Sequence, residues 1–363
     1  MLRAVAVAAA TIAAPSASHA ATLDQMAGQM ILLGFQGDQI TDKSVAGLRD
    51  EIARGDIGGV MYLKTNVKSL SAVKAMNAAF LAAHPDLPPF ISLDQEGGRV
   101  QRLTSDVGFA EIPSAADVAA ADSPDAAEAV YLKVAKSLAA DGFNVNFGPV
   151  VDLNVNPDNP IIGKYGRSYS KDPAKVVAYA EAFIKAHHQA GVLTALKHFP
   201  GHGSSATDSH KGFVDITKTW SKVELDPYKA LIAAGMADFV MVGHLYDKNY
   251  DPKGDTALLP ASLSPVWIGD VLRTQLGYKG VVISDDLEMG AIRNEFDTKE
   301  TTIRAVNAGV DVLLFSNTAA YSPGLGDKIR GILVAEANRD PAFKARIVAS
   351  YDRIVALKAK LGK

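Results

Sequence analysis

Residues Gly280–Asp286 read Gly-Val-Val-Ile-Ser-Asp-Asp, an apolar run that ends in two adjacent carboxylates. Its β-branched residues leave no polar face, which is typical of a parallel strand that is covered on both sides. Amphipathic runs suited to helices precede and follow it, over Ser264–Leu276 and Thr298–Ala308. The stretch therefore predicts one buried strand between two helices, with polar side chains at its carboxyl end.

The same alternation of apolar strands and longer amphipathic helices extends along the chain from residue 21. The eight predicted strands are Met30–Phe35, Ile57–Leu63, Pro89–Leu93, Val145–Val151, Leu193–His198, Asp238–Gly243, Gly280–Ser284 and Asp311–Phe315. The predicted helices are Leu23–Met30, Asp42–Ala53, Val67–Ala83, Pro173–Ala190, Lys222–Ala234, Ser264–Leu276, Thr298–Ala308, Gly326–Ala337 and Pro341–Leu361, with two short helices between the third and fourth strands.

Eight strand–helix units over about 340 residues predict an α/β fold, a single (β/α)8 TIM-type barrel that forms one domain over residues 21–363. The alternative is an open doubly wound sheet, which usually has fewer strands. The sequence has no Gly-rich phosphate-binding turn after the first strand, so the barrel is favoured. No Pro/Gly/Ser-rich linker divides the chain.

The first twenty residues differ from the rest. Arg3 is followed by the apolar run Ala4–Ala14, and the small residues Ser18 and Ala20 match a cleavage site. The run is far shorter than the roughly 20 residues that a membrane span needs. Residues 1–20 are therefore predicted to be a signal peptide that is cleaved near Ala20, which gives a periplasmic or secreted protein with no membrane anchor.

The composition excludes several classes of protein. The net charge is −3 and no basic cluster is present, so we expect no nucleic-acid partner. The chain has no cysteine, which excludes disulfides, thiolate metal sites and a lipidated cysteine anchor.

Polar and titratable residues collect where the predicted strands end. In barrel enzymes the loops at the carboxyl ends of the strands carry the chemistry. The residues in question are Asp94, Gln95, Glu96, Asp152, Asn154, Arg167, Lys197, His198, His202, Asp208, His210, His244, Asp285 and Asp286. The pattern predicts a reactive cavity at this end of the barrel.

The run Lys-His-Phe-Pro-Gly-His-Gly over residues 197–203 leads into a small-residue segment and then Asp208-Ser209-His210. An aspartate two residues before a histidine can accept a hydrogen bond from one ring nitrogen and leave the other free to move a proton. The glycines and serines suggest a loop that can move over a bound substrate. The alternative is a structural Asp–His pair in an ordered loop.

The carboxylates and cations at the other strand ends also allow two interpretations. Side chains alternate along a strand, so one of Asp285 and Asp286 should face the cavity, although both could cap the next helix. The polar residues around Gly97-Gly98 suit hydrogen bonds to sugar hydroxyls, or a salt-bridge network that braces the loop. Arg167 could be an ordinary surface residue of a turn.

Four motifs occur in one order along the chain. They are LDQEGGRVQR from Leu93, GRSYSKDP from Gly166, KHFPGHG with DSH ending at His210, and ISDDLEMGA from Ile283. In these residues the chain resembles the bacterial β-N-acetylglucosaminidases (β-hexosaminidases) of glycoside hydrolase family 3, and the similarity spans essentially all of the chain after the leader.

The resemblance implies a retaining exo-β-N-acetylglucosaminidase that acts on terminal non-reducing N-acetylglucosamine in peptidoglycan fragments or chitooligosaccharides, without a metal or cofactor. Asp285 would be the nucleophile, and His210, oriented by Asp208, the general acid/base. His244 and Asp286 would support the site without taking part in the chemistry. The sugar hydroxyls would be bound by Asp94, Arg102, Arg167, Lys197 and His198.

Other functions fit part of the pattern. A β-glucosidase or broad β-hexosaminidase of the same family would keep the mechanism and change the sugar. A metal-dependent barrel hydrolase could use the four strand-end histidines, although His198 and His202 are separated by a Pro-Gly turn rather than one helical turn. A periplasmic sugar-binding protein would need two lobes that close on a hinge.

Overall fold

The structure is a computed structural model that describes residues 21–84, 87–250, 259–318 and 320–361. The predicted signal peptide, residues 1–20, lies outside the described residues. The strands are β1 Ile31–Gly34, β2 Gly59–Tyr62, β3 Phe90–Leu93, β4 Gln95–Gly97, β5 Val100–Gln101, β6 Val145–Asn146, β7 Leu193–Phe199, β8 Phe239–Val242, β9 Val281–Ser284 and β10 Leu313–Phe315.

Eight of these strands form one parallel sheet in the order β10-β1-β2-β3-β6-β7-β8-β9. The two strands at the ends of this order are joined by a parallel bridge between Ile283 and Val312, so the sheet closes on itself. The prediction of an eight-stranded (β/α)8 barrel is confirmed. The short antiparallel hairpin β4–β5, which follows β3, was not predicted.

Helices surround the barrel. They are α1 Leu23–Gln29, α2 Lys43–Arg54, α3 Leu70–Ala83, α4 Ala115–Ala121, α5 Pro124–Ala140, α6 Pro173–Gln189, α7 Asp226–Ala233, α8 Gly290–Arg293, α9 Thr298–Ala308, α10 Leu325–Arg339 and α11 Pro341–Lys358, and the segment Val266–Gln275 is helical with π-type hydrogen bonds. In the part of the chain that the structure describes, no helix is both long and apolar enough to cross a membrane.

Two elements begin or end at other residues than predicted, and each difference has a physical reason. The fourth strand was predicted over Val145–Val151 but ends at Asn146. Pro149 has no N–H to donate to a ladder, and pairing resumes afterwards only as an isolated bridge between Val150 and Lys197. Helix α3 begins at Leu70 rather than Val67, because the Ser69 hydroxyl accepts the Ala72 N–H and caps the helix there.

Aromatic side chains fill the barrel interior. Phe90 and Phe239 lie on strands that are not neighbours in the sheet, yet their rings meet edge to face with centroids 5.2 Å apart. Phe147 contacts Phe239 in the same manner at 6.5 Å. All three side chains are buried. The interior is therefore a packed core, and a ligand of the barrel is expected above it, at the carboxyl ends of the strands.

Candidate active site

A cavity of about 330 Å³ opens at the carboxyl ends of the strands. Its base is apolar and is formed by Met61, Met241 and Leu314, from three different strands. The resemblance implies catalytic or sugar-binding roles for eight side chains. Seven of them line this cavity, namely Asp94, Arg102, Arg167, Lys197, His198, His210 and Asp285. The eighth, Asp208, lies behind His210 and contacts it directly.

Two larger clefts lie elsewhere. One, of about 620 Å³, runs between the Val266–Gln275 helix and α11, and one of about 560 Å³ lies where α11 meets the end of α5. Both are larger than the strand-end cavity, but neither brings together carboxylates and imidazoles from several strand ends. Chemistry rather than size therefore identifies the strand-end cavity as the candidate active site.

One wall of the cavity is a network of paired charges. The Lys197 ammonium donates to Asp94 Oδ1 at 2.7 Å and lies 2.5 Å from Glu96 Oε1, and Arg102 Nη2 donates to Asp94 Oδ2 at 2.6 Å. Burial alone would raise the pKa of Asp94, but the two cations outweigh it and hold the pKa well below its usual range. Asp94 is therefore an ionised acceptor beside ammonium and guanidinium donors, a combination suited to sugar hydroxyls.

Arg167 is fixed by a two-pronged ion pair. Its Nε and Nη2 atoms donate to the two Glu96 carboxylate oxygens, each at 2.8 Å, and Nη1 donates to the Ile161 carbonyl. Burial would raise the pKa of Glu96, but Arg167 and Lys197 lower it to about 2. Arg167 is buried rather than a surface residue of a turn, so the alternative interpretation of its position is wrong.

His198 is held in one orientation by Asp152. Its Nδ1–H donates to Asp152 Oδ2 at 2.7 Å, and its Nε2 accepts from Arg167 Nη2 at 3.2 Å. The second Asp152 oxygen accepts the backbone N–H of His202 at 2.7 Å. Burial would raise the pKa of Asp152, but the adjacent His198 ring keeps it below its usual value.

Asp285 directly follows β9 and faces the cavity. Its backbone N–H donates to the Val242 carbonyl at 3.0 Å, and its Oδ1 accepts the Asp286 N–H at 2.8 Å. Burial would raise the pKa of Asp285, but three imidazoles hold it below its usual value, so that the carboxylate is ionised at neutral pH. These imidazoles are His244, His198 and His210.

Asp286 also reaches the cavity wall, but its carboxylate is occupied by the backbone. Its Oδ1 accepts the N–H groups of Glu288 and Ser316 at 3.1 and 2.9 Å. Burial raises its pKa. Its carbonyl accepts from His244 Nε2 at 2.8 Å, while His244 Nδ1 accepts from the Ser262 hydroxyl at 2.8 Å. These contacts brace the segment that follows Asp285.

His210 and Asp208 form a compact pair. The His210 Nδ1–H donates to Asp208 Oδ1 at 2.8 Å, and the His210 backbone N–H donates to the same oxygen at 2.9 Å. Burial would raise the pKa of Asp208, but the N–H groups of His210 lower it. The His210 side chain is 59% exposed, so its Nε2 is accessible from the cavity and from solvent.

Three of the strand-end histidines are each held by their own partners. His198 is engaged by Asp152 and Arg167, and His244 by Ser262 and a backbone carbonyl. His202 is buried between two serine hydroxyls, and burial lowers its pKa to about 4. Over the described ranges no group of three or more His, Asp or Glu side chains is arranged to hold a metal ion.

Two residues of this site received no specific role from the sequence. Glu96 and Asp152 were recognised as strand-end carboxylates, but their partners, Arg167 and His198, are 71 and 46 residues away in the chain. The available signal was their position directly after apolar strands. It could not show which cation or imidazole each would orient.

The fold and the site together define a (β/α)8 barrel with a carboxylate and an imidazole on one cavity at the strand ends. The family profile described as "Glycosyl hydrolase family 3 N terminal domain" matches residues 22–356. The chain belongs to glycoside hydrolase family 3.

Named relatives agree with this assignment. The chain is 35% identical over 376 residues to β-hexosaminidase A of Pseudoalteromonas piscicida, covering 94% of this chain and 61% of that protein. It is 36% identical over 294 residues to a β-hexosaminidase of Stenotrophomonas maltophilia, covering 78% of this chain and 82% of the relative. The chain therefore spans about three fifths of the length of the first relative and most of the second.

Solved structures show the same fold. A family 3 β-N-acetylglucosaminidase from Paenibacillus sp. superposes with a TM-score of 0.83 at 33% identity, covering 94% of this chain and 63% of that one. A β-N-acetylhexosaminidase from Beutenbergia cavernae superposes with a TM-score of 0.81 at 29% identity, covering 94% of this chain and 99% of that one.

Proposed function

We propose that this protein is a retaining exo-β-N-acetylglucosaminidase that removes terminal non-reducing β-linked N-acetylglucosamine through a covalent glycosyl-enzyme intermediate. The observation that carries the proposal is that ionised Asp285 and the Asp208-oriented imidazole of His210 line one cavity. The names of the relatives, β-hexosaminidase and β-N-acetylglucosaminidase, support the choice of sugar.

The two groups divide the chemistry between them. An Asp285 oxygen attacks the anomeric carbon, while His210 Nε2–H gives its proton to the departing glycosidic oxygen. The neutral His210 then takes a proton from water, whose oxygen attacks the same carbon and releases Asp285. Two displacements at one carbon retain the β configuration.

An imidazole suits the charge of this cavity better than a second acid/base carboxylate would. Retaining glycosidases usually carry two carboxyl groups about 5 Å apart. Here Asp94 and Glu96 are paired with Lys197, Arg102 and Arg167, whereas Asp285 is ionised beside imidazoles. A histidine acid/base alternates between neutral and cationic forms and adds no negative charge.

Recognition of the terminal sugar would fall to the paired charges. Asp94 accepts from a hydroxyl, while Arg102, Arg167 and Lys197 donate, and His198 is held in place beside them. The cavity volume is near the lower end of the range of about 300–1,000 Å³ that is typical of small-molecule pockets. This size favours one sugar unit and hence cleavage at a chain end.

The test is a substrate panel on purified protein. We expect hydrolysis of p-nitrophenyl β-N-acetylglucosaminide with initial release of the β-anomer, seen by NMR, and little hydrolysis of the matching β-glucoside. Asp285→Ala is the blank. Preference for the glucoside would favour a β-glucosidase. Equal rates on the β-N-acetylglucosaminide and the β-N-acetylgalactosaminide would favour a broad β-hexosaminidase. Initial release of the α-anomer would rule out retention.

His210 is tested separately. His210→Ala should lower kcat about 10²- to 10⁴-fold, the usual contribution of a general acid/base, with KM changed only a few-fold. Unchanged turnover would remove His210 from the mechanism. Chelator treatment should leave the wild-type rate unchanged, whereas a metal-dependent hydrolase would lose activity.

The natural substrate and the location of the protein are part of the same proposal. Peptidoglycan fragments and chitooligosaccharides both end in β-linked N-acetylglucosamine, and comparing kcat/KM on purified examples distinguishes them. We infer that the leader directs the chain out of the cytoplasm and that residues 21–363 form one domain. Recovery of exported protein that begins at Ala21, and one protease-resistant fragment, would agree.

A further inference from the structure

The segment that carries His210 is docked on the residues that follow Asp285. Gly290 N–H donates to the His210 carbonyl at 3.2 Å, and Ala291 N–H donates to the Ser209 carbonyl at 3.2 Å. Gly290 and Ala291 are the first two residues of α8, where backbone N–H groups have no partner within the helix. The loop therefore uses two donors that the short helix leaves free.

The absence of a side chain at Gly290 permits this contact. A Cβ atom there would lie 2.8 Å from the His210 carbonyl oxygen and 2.9 Å from the Lys211 carbonyl carbon. Both are backbone atoms, so neither can move aside by a change of rotamer. The φ angle of Gly290 is outside the left-handed region, so its own backbone conformation does not call for glycine. The close approach of the loop is therefore what requires it.

The His210 imidazole depends on the position of its own loop to lie over the cavity. The His210 side chain is 59% exposed, and its partner Asp208 belongs to the same loop, so the pair moves together. Ser209 gives one more anchor through its hydroxyl, which lies 3.2 Å from His202 Nε2. Asp208 fixes the direction of the ring within the loop, whereas the α8 contacts fix where the loop sits.

Gly290 and Ala291, on which the loop docks, are connected by a short segment to Asp285, the other reacting group. Gly290 follows Asp285 by five residues, and the intervening segment is braced by hydrogen bonds from Met289 N–H and His244 Nε2 to the Asp286 carbonyl. The Asp285 carboxylate and the first residues of α8 therefore belong to one hydrogen-bonded unit. The distance from that unit to the imidazole depends on how closely the loop approaches Gly290.

We propose that Gly290 is a positioning residue for His210: by admitting the backbone of residues 210–211, it sets the distance across the cavity between the imidazole and the Asp285 carboxylate. The inference rests on the acid/base role proposed for His210. A side chain at 290 would push the loop outward and impair proton transfer, while Asp285 stays in place and can still attack.

Proton transfer can be measured separately from attack. The ratio kcat/KM reports the first bond-breaking step, in which the leaving group departs. A 2,4-dinitrophenolate departs with little need for a proton, whereas the alkoxide of a second sugar needs one. A displaced His210 therefore lowers kcat/KM for a disaccharide far more than for the dinitrophenyl glycoside.

The experiment compares Gly290→Ala with Gly212→Ala on N,N′-diacetylchitobiose and 2,4-dinitrophenyl β-N-acetylglucosaminide. Gly212 is the matched control, because it lies in the same loop and a Cβ there would meet nothing within 4 Å. We expect Gly290→Ala to lower kcat/KM about 10- to 100-fold on the disaccharide and less than about 3-fold on the aryl glycoside, a partial loss of a general-acid effect. Gly212→Ala should change both by less than about 2-fold.

A second variant covers the case in which Gly290→Ala does not fold. Ala291→Pro removes the N–H that is donated to Ser209, at a first-turn helix position where proline is tolerated. It should give the same difference between the two substrates. Equal losses on both substrates, or no loss, in whichever of the two variants folds would overturn the inference.

His210→Ala, measured beside them, separates the two proposals. If it shows no difference between the leaving groups, the acid/base role itself fails. If His210→Ala shows this difference and the folded Gly290→Ala or Ala291→Pro variant does not, only the positioning role of Gly290 fails.

Discussion

Asp152 and His198 form a buried pair in which the carboxylate holds the imidazole by its Nδ1–H at 2.7 Å. The same carboxylate accepts the His202 N–H at 2.7 Å, so that one side chain fixes both a cavity wall and the turn that leads toward His210. Asp152 is 1% exposed, so solvent has little access to these hydrogen bonds.

Asp152→Asn should therefore impair both recognition and stability. Asparagine keeps the shape of aspartate but has no charge. Its NH2 group would replace one of the two oxygens that accept from His198 and His202, and an NH2 group cannot accept a hydrogen bond. We expect kcat/KM to fall about 10- to 100-fold, by analogy with other orienting partners, and the free energy of unfolding by about 1–3 kcal/mol. Steady-state kinetics and urea unfolding measure the two effects. Asp158→Asn, an exposed change in the following loop, should alter neither.

Arg167→Lys tests whether the forked geometry at Glu96 matters. A lysine ammonium cannot make the two parallel bonds and also reach the Ile161 carbonyl and the His198 ring. We expect kcat/KM to fall at least about 10-fold, mainly through KM, because the misplaced cation would bind the sugar less well. Arg346→Lys on the exposed face of α11 is the control, and equal behaviour of the two variants would refute the argument.

Glu224 should make stability depend on pH. It is buried under the Gly201 turn with no well-formed hydrogen bond to its carboxyl oxygens, although Ser204 lies beside it. Burial raises its pKa to about 8 from 4.5. Between these values the unfolded chain releases the proton while the folded chain keeps it, so this contribution to stability is lost as the pH rises.

Glu224→Gln removes that dependence. From about pH 5 to pH 8, the free energy of unfolding of the variant should gain on that of the wild type by on the order of a few kcal/mol. Thermal unfolding at a series of pH values measures the difference, and Glu295→Gln at an exposed position is the control. A difference that stays constant with pH would mean that Glu224 titrates normally.

Lys358 should also make stability depend on pH, but in the direction opposite to that of Glu224. Its ammonium is buried near the base of the barrel, where it donates to Gln29 Oε1 and the Gly58 carbonyl and lies 4.7 Å from the Phe90 ring centroid. Burial lowers its pKa to about 7 from 10.5. In this window the unfolded chain takes up a proton that the folded chain refuses, so stability falls as the pH falls.

The free energy of unfolding of Lys358→Met, relative to that of the wild type, should therefore be lowest near pH 10. As the pH falls toward 7, this difference should shift in favour of the variant by on the order of a few kcal/mol. Denaturant unfolding across this range provides the measurement. Exposed Lys344→Met should follow the wild type throughout, and parallel curves for Lys358→Met would contradict the assignment.

Much of the fold could be predicted because its signals are local. An apolar run such as 281–284 is recognisable without knowing its neighbours, and eight such runs between helices define the barrel. The early end of the fourth strand at Asn146 depends on Pro149, whose missing N–H the prediction overlooked. The hairpin β4–β5 was missed because its few polar residues show no strand alternation.

The site was predictable in its positions and less so in its connections. Strand-end placement predicted that Asp94, Lys197, His198 and Asp285 would share a cavity, and the structure brings them together. Which carboxylate orients which cation depends on contacts across the barrel, as between Glu96 and Arg167. The approach of the loop to Gly290 likewise involves backbone atoms, which leave no mark in a pattern of residue types.

The filled barrel interior closes the cavity at its base. Because Phe90, Phe147 and Phe239 fill the barrel below the cavity, the end of the proposed oligosaccharide substrate would enter and leave by the same opening. We therefore expect each cut to be followed by complete release. A long oligosaccharide should be shortened one unit per visit, so that every intermediate length accumulates early in a time course instead of monomer alone.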